Sequence, residues 1–83
     1  MEAQIIKQGE NTRSSVYEFI VDFITSNGFS PSMREIANGT GIKSTATVHE
    51  HLFMLEQMGM IRTQGRKSRT ISVVGYGFIR LKE

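Results

Sequence analysis

The sequence contains no cysteine, which excludes disulfide bonds and thiolate metal sites as sources of stability. It also lacks an apolar run of about 20 residues, which a membrane-spanning helix needs, and its N-terminus lacks the apolar segment of a signal peptide. The two histidines, His49 and His51, are too close in sequence to share a helix face, where metal ligands are about three or four residues apart. These absences predict a soluble, cytoplasmic protein with no membrane partner, no metal and no other cofactor.

Catalytic machinery is also absent from the sequence. We find no nucleophile beside a base, no pair of carboxylates, no phosphate-binding loop and no cluster of metal ligands. A chain of 83 residues forms one small domain with little room for a pocket. The sequence therefore predicts a binding module, not an enzyme, and no small-molecule substrate.

The net charge of +2 conceals an uneven distribution. Residues 1–41 carry three basic and five acidic side chains, whereas residues 42–83 carry seven basic and three acidic side chains. A basic half of a small protein is typical of a surface that meets a polyanion.

The first half of the chain predicts two helices after an N-terminal arm, residues 1–10. Helix 1 is expected over residues 12–27, capped by Asn11 or Thr12 and stopped by Gly28. Its apolar residues recur at helical spacing: Val16, Phe19, Ile20, Phe23 and Ile24. Ser32 and Glu35 have the spacing of a capping box, which predicts that helix 2 begins at about Met33.

A tight turn and a longer third helix follow. Residues 38–41, Asn-Gly-Thr-Gly, predict the turn, and Ser44 is expected to cap helix 3. Val48, Leu52 and Leu55 fall on one face of this helix. The opposite face is the more informative one, because it carries polar and hydrogen-bonding side chains.

The period of the apolar residues changes from helical to alternating after Gly59. Residues 60–63 and 69–73 predict two strands with Ile61, Ile71 and Val73 facing inward, joined by the basic segment 64–68. Three helices followed by a hairpin predict an α+β fold, a winged helix-turn-helix domain over residues 11–74. The apolar tail, residues 75–83, is a candidate dimer contact.

Helix 3 carries the candidate residues for reading DNA. A short, polar first turn suits the major groove, where base edges present hydrogen-bond donors and acceptors. Two of the residues have a second interpretation. Ser44 is first a helix cap. The carboxylate of Glu50 repels phosphates, so it either accepts a hydrogen bond from cytosine N4 in the groove or lies on a solvated helix face with no DNA role. An exposed phenylalanine is equally consistent with a contact to the wing, to DNA or to a second subunit. The candidates are Ser44, Thr45, Thr47, His49, Glu50 and Phe53.

Four basic residues outside helix 3 are candidates for contacts with the phosphate backbone. Arg34 lies early in helix 2, where it can meet a phosphate or pair with a carboxylate. Arg66, Lys67 and Arg69 lie in or beside the hairpin connection. Cationic side chains at such a tip suit phosphates, and arginine also suits a narrow minor groove.

The sequence resembles the N-terminal DNA-binding domain of a known family, LexA, which is the bacterial SOS repressor. The Gram-positive form is the most similar. The resemblance covers about residues 13–73. It rests on Gly28, Pro31-Ser32, Arg34-Glu35-Ile36-Ala37, Gly41, Ser44, Thr47-Val48-His49, His51-Leu52, Leu55-Glu56, Gly59, Ile61-Arg62, Arg69 and Ile71.

The resemblance implies a repressor that binds double-stranded DNA at a palindromic operator, as a homodimer, with helix 3 in the major groove. The sequence also departs from the family. LexA continues into a scissile Ala-Gly bond and a Ser-Lys peptidase domain, whereas these 83 residues contain no Ala-Gly pair, so we expect no self-cleavage from them. An alternative interpretation is a winged-helix protein-interaction module with weak or no DNA binding, which the modest charge and Phe53 favour.

Overall fold

Three helices precede a small antiparallel sheet in the computed structural model, which describes residues 8–65 and 67–75. The elements are α1 (Gln8–Asn27), α2 (Met33–Thr40), α3 (Thr45–Gln57), β1 (Ile61–Arg62) and β2 (Ser72–Val73). This order confirms the predicted α+β winged helix-turn-helix. No helix in the described ranges has the length and apolar character needed to cross a membrane.

Helix α1 forms one wall of the core, with Val16 and Ile20 fully buried. It ends as predicted: Gly28 adopts a φ of 83° and donates its N–H to the carbonyl of Ile24. The predicted start was wrong, because the helix includes residues from Gln8 onward and passes through Asn11 without a cap there. A helix interior tolerates asparagine or threonine at a cost of roughly 0.7 kcal/mol or less each, so capping residues alone do not begin a helix.

Helix α2 begins with the predicted capping box. The Ser32 hydroxyl accepts a hydrogen bond from the N–H of Glu35 at 3.1 Å, and Glu35 Oε1 accepts one from the N–H of Ser32 at 2.9 Å. The helix ends at Gly41, whose φ of 80° is in the left-handed region. Inside α2, a Cβ at Gly39 would overlap the ring of Phe19, so glycine permits the close approach of α2 to α1.

Helix α3 packs against the other two helices and covers the sheet. Its inward face is the predicted one, and it joins residues from every other element in a single core. The core consists of Val16, Ile20, Ile36, Ala37, Val48, Leu52, Leu55, Ile61, Ile71 and Val73. Because α3 is held along its inner face, its outer face is presented to solvent as a rigid surface.

The sheet is shorter than the sequence predicted. Only two residues of each strand pair, with Ile61 opposite Val73 and Arg62 opposite Ser72. The prediction of a strand beginning at residue 69 was wrong, since Arg69 has a φ of 59° and extended backbone does not continue through it. The predicted alternation holds near the paired residues, with Ile61 and Val73 buried and Arg62 exposed.

Two predictions concern segments mostly outside the described residues. The arm, residues 1–10, includes three helical residues of α1, and residues 1–7 lie outside the described part of the chain. The tail, residues 75–83, is described only at Gly75. The dimer contact suggested for the tail therefore remains a prediction.

Candidate nucleic-acid interface

The first turn of α3 is capped and open to solvent. The Ser44 hydroxyl accepts a hydrogen bond from the N–H of Ala46 at 3.1 Å, which confirms the predicted cap. Ser44, Thr45 and Ala46 are all exposed. The N–H groups of a first helical turn carry partial positive charge, so this end of α3 is suited to an anion such as a phosphate.

The outer face of α3 brings together the predicted base-reading residues. Thr45, His49 and Glu50 are exposed, and Thr47 is half-buried at the edge of the face. Among the described residues, no side-chain hydrogen bond or salt bridge holds any of these four. We call Thr45, Thr47, His49, Glu50 and Phe53 the reading face. Its hydrogen-bonding groups are available to a partner.

Phe53 lies in a groove between α3 and the wing. The groove has a volume of about 220 Å³, and its walls are His49 and Phe53 on one side and Gly65 and Lys67 on the other. The Phe53 side chain is 59% exposed, so the wing does not cover it. Of the three interpretations open from the sequence, packing on the wing accounts for less than half of this side chain.

A second concave surface surrounds the turn between α2 and α3. It is lined by Arg34 of α2 together with Lys43, Ser44 and Thr45. Both cationic side chains are exposed, and they flank the capped start of α3. Lys43 was not among the predicted residues, although its position directly before the cap of α3 was a usable signal.

The turn of the wing is fastened by three hydrogen bonds. The N–H of Gln64 donates to the Thr70 hydroxyl at 3.2 Å, that hydroxyl donates to the carbonyl of Lys67 at 3.0 Å, and the N–H of Lys67 donates to the carbonyl of Gln64 at 3.2 Å. Only backbone groups of Lys67 take part, and its exposed ammonium has no hydrogen bond or salt bridge to any residue that the structure describes. Arg66, the neighbouring candidate, lies outside the described residues.

The side chain of Arg69, unlike that of Lys67, is bound by α2 and by the segment before it. Its guanidinium donates two hydrogen bonds to the two carboxylate oxygens of Glu35, each at 2.9 Å, and a third to the carbonyl of Ser30 at 3.0 Å. It also lies over the ring of Phe29, 5.1 Å from the centroid. The hydrogen bond from Arg69 is the main reason why the pKa of Glu35 lies below its usual value. The structure thus gives Arg69 an intramolecular role.

Ser30 joins the same network from inside the protein. It is buried, and its hydroxyl accepts a hydrogen bond from the N–H of Ile71 at 3.1 Å while donating to the carbonyl of Pro31. We call Phe29, Ser30, Glu35, Arg69 and Ile71 the wing clamp, because they fasten the returning side of the wing to the first turn of α2 and to the segment before it. Sequence reasoning missed Ser30, which reads simply as a residue of a Ser-Pro link.

The match to known proteins covers the helices from residue 11 onward and the wing as far as Thr70, before β2. Residues 11–70 match the family described as the LexA DNA binding domain. The chain belongs to this family. The predicted resemblance is therefore confirmed, together with the fold that it implied.

Curated relatives of this LexA-family domain are longer proteins. The LexA repressor of Clostridium kluyveri is 44% identical over 68 residues, which are 82% of this chain and 34% of that protein. The LexA repressor of Clostridium perfringens is 40% identical over 70 residues, 84% of this chain and 34% of that protein. That of Caldicellulosiruptor saccharolyticus is 43% identical over 72 residues, 87% of this chain and 36% of that protein. The chain spans about a third of the length of the curated relatives it matches.

His51 lies on the opposite flank of α3 from the wing of this LexA-family domain. It is half-buried at the edge of the core, the position predicted from the helical period. Partial burial, and then the charge of Arg13, hold the pKa of His51 below its usual value, while Glu50 acts in the other direction. This side chain is therefore neutral at pH 7 and contributes packing rather than charge.

Proposed function

We propose that this chain binds double-stranded DNA in a sequence-specific manner and acts as a transcriptional repressor in the bacterial cytoplasm. The observation that carries the proposal is the reading face, where the hydrogen-bonding side chains have no hydrogen bond or salt bridge within the described ranges and exposed cations lie on two sides. Membership of the LexA DNA-binding domain family supports it, as do relatives that are themselves LexA repressors. An enzymatic activity finds no such support.

Helix α3 would enter the major groove and read base edges. Thr47 offers a hydroxyl and a methyl group, which suits a thymine methyl, and His49 offers ring nitrogens to a base or a phosphate. Glu50 would accept a hydrogen bond from the amino group of cytosine. Phe53 would meet the apolar edge of a sugar or a thymine from within the groove between α3 and the wing.

The backbone contacts would come from both flanks of the reading face. On one flank, Arg34 and Lys43 surround the capped start of α3, where Ser44 is exposed. On the other flank, Lys67 stands on the wing, with Arg66 beside it in sequence. Each phosphate that these cations neutralise contributes roughly 0.9 units to the slope of log affinity against log salt concentration.

We further propose that two copies bind one palindromic site. A single module of this size covers roughly 600–1,000 Å² of protein surface on DNA, and symmetric pairing is the usual way to increase that area. Sedimentation of the protein with and without a selected operator measures the stoichiometry. One copy per operator at saturating protein concentration would contradict this part of the proposal.

Selection of bound sequences from a random DNA pool tests the central claim. We expect enrichment of a palindrome by the parent chain, and loss of that preference when Thr47 and His49 are both replaced by Ala. Ser15→Ala, which removes an exposed hydroxyl from α1, is the control and should leave the selected sequence unchanged. If the folded parent chain enriches no sequence from the pool, the proposal is contradicted.

A second candidate function is binding to another protein. The observation in its favour is the exposure of apolar side chains on α3 and directly after it, with Phe53 at 59% and Met58 at 56%. The same selection separates the two functions, because a module that binds only protein enriches no DNA sequence.

A further inference from the structure

The backbone of Arg69 adopts an unfavourable conformation. Its φ of 59° is the only positive value among the described residues other than glycine. In this region the Cβ of an L-residue crowds the backbone, so such a residue persists only where surrounding contacts fix it. The contacts of the Arg69 side chain are well placed to hold this bend of the wing.

The Arg69 guanidinium is bound on two sides and along its face. Nη1 is shared between Ser30 O and Glu35 Oε1, Nη2 donates to Glu35 Oε2, and the Phe29 ring lies along the guanidinium. The paired, parallel hydrogen bonds require the planar fork of arginine. A lysine keeps the charge but cannot make this arrangement.

The other end of this interaction is part of the helix-turn-helix. Glu35 belongs to the capping box of α2, where its Oε1 also accepts the N–H of Ser32. One carboxylate thus joins the start of α2 to the returning side of the wing. The carboxylate is therefore a direct connection between the helix-turn-helix and the wing.

Within the described residues, which leave out Arg66, few other hydrogen bonds hold the outer part of the wing. The ladder between the strands consists of two residue pairs, and both lie at the base of the hairpin. Beyond them, Thr63 donates to Glu56 of α3 at 3.2 Å, and the remaining bonds are local to the turn. Lys67, only two residues before Arg69, is therefore placed in space largely by the wing clamp.

We propose that Arg69 is a positioning residue, which holds the wing so that Lys67 meets the DNA backbone, and that its guanidinium stays on Glu35 when DNA binds. This inference rests on the proposed function and deepens it. It replaces the interpretation from sequence, in which Arg69 itself contacts a phosphate.

Replacement of Glu35 by Gln separates the two roles because they predict changes of opposite sign. If Arg69 contacts phosphate, removing the acidic partner frees the guanidinium and removes a negative charge, so operator affinity rises. If Arg69 is a positioning residue, the wing loses its anchor, and we expect affinity to fall by roughly three- to thirtyfold. Glutamine retains an oxygen that can accept the N–H of Ser32, so the cap of α2 is kept.

The affinity is measured by fluorescence anisotropy with a labelled operator taken from the selection. Glu18→Gln is the matched control, since it removes an exposed carboxylate from α1, away from the wing, and should leave affinity equal or slightly higher. Far-ultraviolet circular dichroism establishes that each variant retains its helices.

Two further variants test the same inference by a different route. Arg69→Lys should weaken binding nearly as much as Arg69→Met, because the fork is lost in both. In a double-mutant cycle, Lys67→Ala should cost clearly less affinity in the Arg69→Met background than in the parent. Independent losses would mean that both cations touch DNA separately and would overturn the proposal.

The outcomes distinguish this inference from the proposed function. A parent chain that selects no DNA overturns both. A parent that binds its operator, together with a Glu35→Gln variant that is folded and binds as tightly or more tightly, overturns the positioning role alone.

Discussion

The reading face and the wing clamp are both polar, yet they are opposite in their internal bonding. The wing clamp has its polar groups paired within the protein: Glu35 with Arg69, and the Ser30 hydroxyl with the N–H of Ile71. Among the described residues, the hydrogen-bonding side chains of the reading face make no such bonds. In a small domain, side chains that the fold uses are thereby separated from those that remain for a partner.

The two cations Lys67 and Arg69 differ in the same way, although they are close neighbours in the wing. They are two residues apart, and sequence reasoning treated them alike. In the structure, the ammonium of Lys67 is exposed at the turn, whereas the guanidinium of Arg69 is held by Glu35 of α2 and by Ser30 before it. Proximity in sequence is thus a weak guide to which charge meets a polyanion.

The largest effect on folding should come from the buried hydroxyl of the wing clamp. Ser30→Ala leaves the buried N–H of Ile71 without its acceptor, which costs roughly 1–3 kcal/mol of unfolding free energy. Urea denaturation followed by circular dichroism measures the change. Ser15→Ala, at an exposed site on α1, should change stability by less than about 0.5 kcal/mol. Equal stability of the two variants would show that water replaces the hydroxyl and that Ser30 is not needed.

A substitution on the reading face should weaken DNA binding and leave the stability of the fold unchanged. His49→Ala should weaken binding to the selected operator by about 1–2 kcal/mol and relax the preference at one base position. Because His49 is exposed and makes no side-chain hydrogen bond in the described structure, its unfolding free energy should remain within about 0.5 kcal/mol of the parent. Anisotropy titrations against the operator and its single-base variants measure this. A uniform loss across all variants would assign His49 to the backbone instead.

Local sequence patterns were sufficient to predict much of the fold. The capping box of Ser32 and Glu35, the cap at Ser44 and the core positions Leu52 and Leu55 all depend on spacings of a few residues. The start of α1 was not predictable in this way, since Asn11 is permitted both in a helix interior and at a cap. Helical and strand periods therefore identified the elements better than their ends.

The wing clamp depends on contacts that are distant in sequence. Arg69 and Glu35 are 34 residues apart, and Ser30 and Ile71 are 41 apart. Nothing in the local pattern around Arg69 distinguishes it from Lys67, because both are cations near a turn. Only the three-dimensional position of the segment before α2 decides which of them is paired.

A smaller effect should follow from Lys67. Lys67→Ala should weaken binding to all DNA sequences alike and reduce the salt slope by about one unit, because one phosphate contact is lost. Arg62→Ala removes another exposed cation, from β1 and outside the groove between α3 and the wing, and serves as the control. Titrations at several salt concentrations give both slopes. Identical slopes for the two variants would mean that overall charge, and not the place of Lys67 on the wing, governs binding.

The smallest effect, and the most specific for the wing clamp, is on the pH dependence of stability. The pKa of Glu35 is lowered from 4.5, chiefly by the hydrogen bond from Arg69. A carboxyl group whose pKa is lower in the folded state stabilises the fold above its unfolded pKa, and this contribution is lost as pH falls through the folded value. The difference in unfolding free energy between the parent and Glu35→Gln should therefore be constant near neutral pH and shrink below about pH 4.5.

His51 supplies an internal reference for this measurement. Its pKa is also lowered, but from 6.5, by burial and by Arg13. Since the neutral form is favoured in the folded state, stability is lost as pH falls from 6.5 through the lowered pKa of His51, in the parent and in Glu35→Gln alike. The loss cancels in their difference, which isolates the carboxylate. A difference that shrinks near pH 6 would couple Glu35 to His51, whereas one that persists unchanged to pH 2 would mean that the charge of Glu35 does not hold the wing.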